Sequence, residues 1–313
     1  MICSEAPGKI ILFGEHFVVK NKPAIVTAVN LYARTIIKEY NGFKVESKQM
    51  GFTIDLNKPV PREYSHFIEI FKLISVKTSI SKGFYAIIDS NIPVASGMGS
   101  SAATAVSLTH ALLSYYGFKP EYSLVNEIAY RAEEIVHGKP SGVDNTVSTY
   151  GGLLFYRKNS FERISIKWPD EIVILVVDTG IKRNTGEVVR KVLELYDKYV
   201  DIYSGIYSVY EKLVFEAYKY LVHGDFHRLG ELMNINQSLL ESLNISNSVL
   251  ENIVYAMREK GALGSKISGA GQGGIVIGLF KTSDLKNDLI HEFNSKGFKT
   301  YIVKPINTGV KNC

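Results

Sequence analysis

The chain has 313 residues, 46% hydrophobic and 21% charged, which are ordinary globular values and exclude global disorder. That length allows one large domain or two ordinary ones. The formal net charge is +5 with Lys and Arg scattered along the chain, so no polybasic arm for nucleic acid or anionic lipid is expected.

The two cysteines, Cys3 and Cys313, stand at the two ends. They make no disulfide framework and point to a reducing cytoplasm, while a bridge between the termini stays open. Pro7, Gly8, Lys9 and Glu15 break any signal-peptide apolar region. No run of about eighteen apolar residues occurs, so no membrane span is expected.

In chain order, KIILFGEHFVV, PAIVTAV, RTIIKEY, FKVES and FTIDL read as strands, rich in β-branched and aromatic residues and broken by Gly, Asn and Pro. EYSHFIEIFKLISV carries apolar residues at helical spacing, and GFYAIIDS is another strand. SSAATAVSLTHALLSYYG is small and apolar on nearly every side, the pattern of a buried helix. Ser100 or Ser101 is expected to cap it and Gly117 to end it. EYSLVNEIAYRAEEIVHG follows as a helix with Gly138 as its stop. GGLLFYRK, ISIKW and the very apolar EIVILVVDT are strands. From Thr185 the pattern is helical, and the end of the chain is mixed: KISG, GGIVIGLF, a helix from Ser283 to Lys296, then FKTYIVK. A domain boundary is placed near Pro169, giving domains 1–169 and 170–313.

Three stretches concentrate Gly with Ser: APGKIILFGEH (6–16), PVASGMGSSAA (93–103) and KISGAGQGG (266–274). In the second, Gly97 and Gly99 allow backbone shapes that a Cβ would block. The loop then runs into a helix, where free N–H groups and the positive dipole end make an anion site. A tight turn with a Ser cap explains the same residues. The third stretch contains G-x-G-x-x-G at Gly269, Gly271 and Gly274, but a strand follows it, so the dinucleotide reading fails on context.

HGKPSGVDN (137–145) poses the central question. Ser141 and Asp144 form a capping-box pattern, S-x-x-D. The same acid, held at a helix start by a Pro-Ser-Gly turn, could instead accept a proton from a substrate hydroxyl. An anion loop, a metal ligand and a cation elsewhere in the chain would decide for chemistry.

That company is present. The three glycine stretches, in this order and with HGKPSGVDN between the second and third, resemble the motifs of the GHMP small-molecule kinases. The likeness spans residues 6–281 and is strongest to the branch that acts on mevalonate. It implies a two-domain α+β fold: an N-terminal domain of the ribosomal-protein type with a left-handed β-α-β element, and a ferredoxin-like C-terminal domain. ATP and mevalonate would lie between them. The activity implied is phosphorylation of the 5-hydroxyl of mevalonate on the route to isoprenoids. Kinases of phosphomevalonate or homoserine, and a non-catalytic ATP-binding sensor, are the alternatives.

By position, the resemblance makes Asp144 the catalytic acid and Lys9 the cation beside it. Ser96, Gly97, Met98, Gly99, Ser100, Ser101 and Ala102 would bind phosphate. Ser101 and Glu133 would hold Mg²⁺. Lys9, Glu15, His16, Asp144, Thr185, Gly269, Ala270 and Gly271 would line the mevalonate pocket. Met98 and Gln272 depart from the residues usual in the second and third motifs. A homodimer is expected, and no nucleic-acid or membrane partner.

Phosphoryl transfer asks for positioning and charge neutralisation more than covalent help, and Mg²⁺ takes hard oxygen ligands. Other polar residues have plainer roles. Arg131 and Glu134 are spaced for a helix-face ion pair. His110 suits a core position, and His137 a helix C-terminus. His223 and His227 lack the glutamate of a zincin helix. The tyrosines from Tyr196 to Tyr220 read as packing.

Overall fold

The computed structural model describes residues 1–77, 82–137, 140–157, 160–182 and 184–313, the side chains of Val136 and His137 aside. Gly138, expected as a helix stop, and the His137 side chain lie outside the described residues.

The chain opens with β1 (Ile2–Phe13), a 3-10 turn (Phe17–Lys20) and β2 (Ala24–Glu39). PAIVTAV and RTIIKEY, expected as two strands, are one. Both halves of β2 pair with β1, and the mismatch is absorbed by a register shift at Pro7/Gly8 in β1. β3 (Phe43–Ser47), β4 (Phe52–Asp55), α1 (Ser65–Lys77) and β5 (Phe84–Ser90) follow. Then come the helices α2 (Ser100–Tyr115), α3 (Tyr122–His137) and α4 (Val143–Tyr150), and the hairpin strands β6 (Leu153–Arg157) and β7 (Ser160–Ile164). β3 and β5 are parallel, with α1 in the crossover between them, and the other pairings of this sheet are antiparallel.

β8 (Ile172–Asp178) starts a second sheet. Helices α5 (Thr185–Lys198), α6 (Val200–His223), α7 (Phe226–Ser242) and α8 (Ser248–Glu259) come next, and β9 (Gly264–Ser268), β10 (Ile275–Lys281), α9 (Asn287–Ser295) and β11 (Lys299–Val303) complete it. Its order is β11-β8-β10-β9, all antiparallel. Every residue of β8 is buried, as an apolar run covered on both faces should be. The last strand, β12 (Lys311–Asn312), returns to the first sheet and pairs with β1. There the disulfide Cys3–Cys313 joins the ends, with Cα atoms 5.3 Å apart, inside the normal span of such a bond. The cysteines therefore do not argue for a reducing compartment.

α2 is buried from Ala102 through Leu113 except for Thr104. Its Ala-rich surface lets β1, β2, α3 and α4 approach it closely. His110 is the core histidine expected, its Nδ1 2.8 Å from Ser4 Oγ. Burial drives its pKa down to about 4, because charge is costly away from water.

Candidate active site

β1 carries Lys9 to the centre of the site. Its backbone N–H donates to Met98 O at 2.9 Å, which lays the strand along loop 93–99. A Cβ on Gly99 would come 3.0 Å from Lys9 Cγ, so glycine there is what allows the lysine stem to pass. The ammonium ends 3.1 Å from Asp144 Oδ1. Lys9 is therefore a buried strand residue, not a surface lysine at a turn. Its side chain is 4% exposed and that of Asp144 36%, so the acid keeps an open side.

The loop is built from its own side chains and from left-handed backbone. Ser96 Oγ donates to Pro93 O at 3.0 Å and lies 3.3 Å from the Met98 N–H. Ala95, Gly97 and Gly99 have φ of 57°, 95° and 74°. Gly99 is the N-cap of α2, and no side chain caps that helix. This corrects the expectation that Ser100 or Ser101 would do so. A glycine cap leaves the first-turn N–H groups free for an anion. Ser101 is exposed on that first turn and Met98 is buried.

Asp144 sits in the first turn of α4, whose N-cap is Gly142 at φ 75°. Ser141 Oγ reaches only the Val143 N–H, at 3.5 Å, so the capping box does not form. Tyr156 donates to Ser141 O at 2.7 Å and fixes the turn instead. Glu133, on α3, is 8% exposed. Burial pushes its carboxyl up to about 8, the charge of Asp144 adds to the rise, and Lys9 offsets part of it. Asp144 is paired with the Lys9 ammonium, and the same charge acts on Glu133. The carboxyl of Glu133 and the hydroxyl of Ser101 are hard oxygens of the kind a divalent cation prefers.

The first and third glycine motifs clasp each other. His16 Nε2 is 2.8 Å from Ala270 O. Ser268 Oγ donates to Ile11 O at 2.9 Å and accepts from Ile11 N–H at 3.1 Å. Glu15 is buried beneath this contact and paired with Lys266, both side chains fully inaccessible. Lys266 also donates to Ile267 O at 2.6 Å, and Glu15 accepts from the Gly14 N–H at 3.1 Å. Lys266 is absent from the residues singled out in the sequence. Its signal was a lone charge in an otherwise uncharged strand.

Gly269 and Gly271 have φ of 102° and 76°, and a Cβ on Gly271 would overlap Ile245 O. Gln272, at φ 57°, donates from its backbone to Ile245 O at 2.7 Å and from its side chain to Asn244 O at 3.0 Å. Thr185 opens α5 and is exposed, behind the cap that Asn184 Oδ1 offers the Glu187 N–H. The strand end before it, at Thr179, donates to Gly274 O at 2.9 Å.

The discounted residues behave as packing or surface groups. Arg131 meets Glu134 at 3.1 Å on the face of α3. His223 Nδ1 lies 2.7 Å from Lys219 O, and His227 faces Glu231 at 3.5 Å. Tyr210 is buried, stacked on Phe17 at 3.7 Å, and donates to Pro23 O.

Comparison with known proteins places the chain in a family. The profile of the GHMP kinases N terminal domain matches residues 65–152, and that of the GHMP kinases C terminal matches residues 217–299. The mevalonate kinase of Thermococcus sibiricus is 37% identical over 298 residues, 89% of each chain. That of Aeropyrum pernix is 35% identical over 96% of each. The crystal structure of L. major mevalonate kinase in complex with R-mevalonate superimposes with a TM-score of 0.81 at 33% identity, covering 97% of this chain and 96% of that one. The Methanococcus jannaschii mevalonate kinase gives 0.85 at 27% identity, covering 98% of both. Sequence, fold and the order of the glycine motifs lead to one assignment: the chain belongs to the GHMP kinases.

Proposed function

We propose that this protein transfers the γ-phosphoryl group of ATP to the 5-hydroxyl of mevalonate, giving 5-phosphomevalonate and ADP on the route to isoprenoids. The observation that carries the reading is the meeting of Lys9, Asp144 and Glu133 beside the glycine-capped start of α2. Residues 96–102 bind the phosphates through backbone N–H groups and the hydroxyls of Ser100 and Ser101. Asp144, open on one side, accepts the proton of the substrate hydroxyl. Lys9, 3.1 Å from that carboxylate, stabilises the negative charge that builds on the oxygens.

Such a transfer requires a divalent metal, and Ser101 Oγ and Glu133 are the residues we assign to it, with Mg²⁺ as the ion. When bound it supplies charge neutralisation on the phosphate oxygens. Glu15 and His16 support the substrate pocket from beneath, Ala270 and the flanking glycines close it, and Thr185 borders it.

The division near Pro169 is supported by the change of sheet between β7 and β8. Among the described residues no helix is long and apolar enough to cross a membrane. We place the enzyme in the cytoplasm, where ATP is supplied, and expect a homodimer, which light scattering checks.

The test is an ADP-release assay over mevalonate, phosphomevalonate, homoserine and galactose. Mevalonate is expected to give the highest kcat/KM. A preference of about tenfold for another alcohol, roughly 1.4 kcal/mol of transition-state binding, would replace this reading.

A further inference from the structure

We propose that the C-terminal strap, residues 304–313 closed by the Cys3–Cys313 disulfide, is a positioning element of the active site, holding β1 and α4 so that Lys9 and Asp144 keep their working separation. The inference rests on the assignment of those two residues to catalysis.

The two partners of that ion pair ride on different elements, and the strap is bonded to both. On the sheet side, Lys304 N–H donates to Asn30 Oδ1 at 3.0 Å. Pro305 forms a bridge with Val29, and Ile306 N–H donates to Ala28 O at 3.0 Å. Farther along, Lys311 and Asn312 pair with Glu5 and Ser4 of β1, and Cys313 N–H donates to Cys3 O at 3.2 Å beside the disulfide. Lys9 follows on the same strand.

On the helix side, Val310 N–H donates to Thr149 O at 3.1 Å, and Gly152 N–H donates to Ile306 O at 2.9 Å. Gly309 crosses the end of α4 so tightly that a Cβ on it would overlap Thr149 O, and a Cβ on Gly151 would overlap Thr308 and Gly309. Ile306 also packs on the small apolar cluster that contains Val143 and Val147 of α4.

α4 spans only Val143–Tyr150, far below the roughly 12–15 residues at which a helix sustains itself in water. Its pose is therefore set by its contacts. Lys9 and the reacting groups lie at its first turn, and the strap holds its last. A shift of the strap is passed along a rigid two-turn rod to the carboxylate of Asp144. Displacements of about 1 Å cost up to ~10²-fold in rate in such sites. The strap's hydrogen bonds go to β1, β2, the end of α4, Tyr122 of α3 and Asp170 rather than to the phosphate loop, so the effect falls on the rate and not on ATP affinity.

The experiment compares the oxidised wild-type enzyme with the same protein reduced by a phosphine. Reduction breaks the S–S bond and leaves two thiols, the phosphine giving two electrons and ending as its oxide. Below the unfolding temperature, reduction is expected to lower kcat about 3- to 10-fold with both KM values within about twofold, and to raise deuterium uptake in residues 143–150. Cys313→Ser should reproduce the reduced state and respond no further to the phosphine. Gly309→Ala should lower kcat more, again with KM nearly constant.

Equal kcat and equal uptake over residues 143–150 in oxidised and reduced wild type would overturn the proposal, and that comparison needs no variant to fold. A lowered melting temperature with kcat unchanged would also overturn it, leaving the strap a stabilising feature only. If uptake responds as expected but oxidised enzyme does not phosphorylate mevalonate, the strap's hold on α4 stands and the substrate assignment is the part that fails.

Discussion

Two of the lysine–carboxylate pairs that join distant parts of this chain differ in their access to water. Lys9 and Asp144 meet at 3.1 Å with the acid 36% exposed, whereas Lys266 and Glu15 are both fully inaccessible. Burial pushes Glu15 up and Lys266 down, and each partner opposes the shift of the other. A sealed pair of this kind has no solvent to fall back on, so it fixes geometry and exchanges nothing. The open pair can trade part of its mutual contact for a substrate hydroxyl. The same chemistry serves as a rivet in one place and, under the proposed mechanism, as a reactive centre in the other, and access to water separates the two uses.

The largest effect is expected from breaking the sealed pair. Lys266→Met leaves Glu15 buried without its cation and should cost about 3–5 kcal/mol of stability, read from denaturant midpoints. Adding Glu15→Leu should recover much of that loss. A single variant as stable as wild type would mean that water already reaches the pair. Breaking the open pair should do the reverse. Asp144→Asn should lower kcat by at least ~10², the usual size of a general-base effect, with ATP affinity and melting temperature nearly unchanged. Lys9→Met should also reduce turnover, and a change confined to mevalonate KM would make it a binding residue.

Glu133 sharpens the contrast, since it is a buried acid with no lysine of its own. Burial and the charge of Asp144 raise its folded-state pKa to about 8, above the ordinary 4.5 of a glutamate. The sign follows: the stability it contributes is present below pH 4.5 and is lost as pH rises toward 8. In metal-free protein, Glu133→Gln should therefore gain melting temperature over wild type as pH rises through this window. Added Mg²⁺ at pH 8 should stabilise wild type more than the variant, and the variant should need more Mg²⁺ for turnover. Equal responses would remove Glu133 from the metal site.

The smallest effect concerns His110. Its pKa near 4 is depressed from 6.5, so its contribution is present above pH 6.5 and lost as pH falls toward 4. His110→Gln should flatten the acid side of the stability profile, which thermal melts from pH 7 to 4 would follow.

The glycine motifs were legible because each demands a backbone that few residues adopt, and their order along the chain survives folding. The reading of Asp144 as a reactive acid came only from its company, since its nonamer also suits a helix cap. Gly142 took the cap because Tyr156, far along the chain, holds the Ser141 carbonyl. The continuity of β2 was hidden because it runs through a bulge at Asn30 and Leu31, with Val29 and Tyr32 on either side paired to Gly8 and Pro7 of β1, which local propensity does not encode. The Lys266–Glu15 pair and the terminal disulfide depend on contacts between residues hundreds of positions apart, which spacing does not encode.

Gln272 takes a backbone shape that favours glycine and uses its side chain to grip Asn244 O and Ser246 O. Fastened in this way, the third glycine motif would, under the proposed assignment, border the substrate as a fixed wall rather than a swinging lid. Any closing motion that admits nucleotide and releases product must then be carried by hinges elsewhere in the chain.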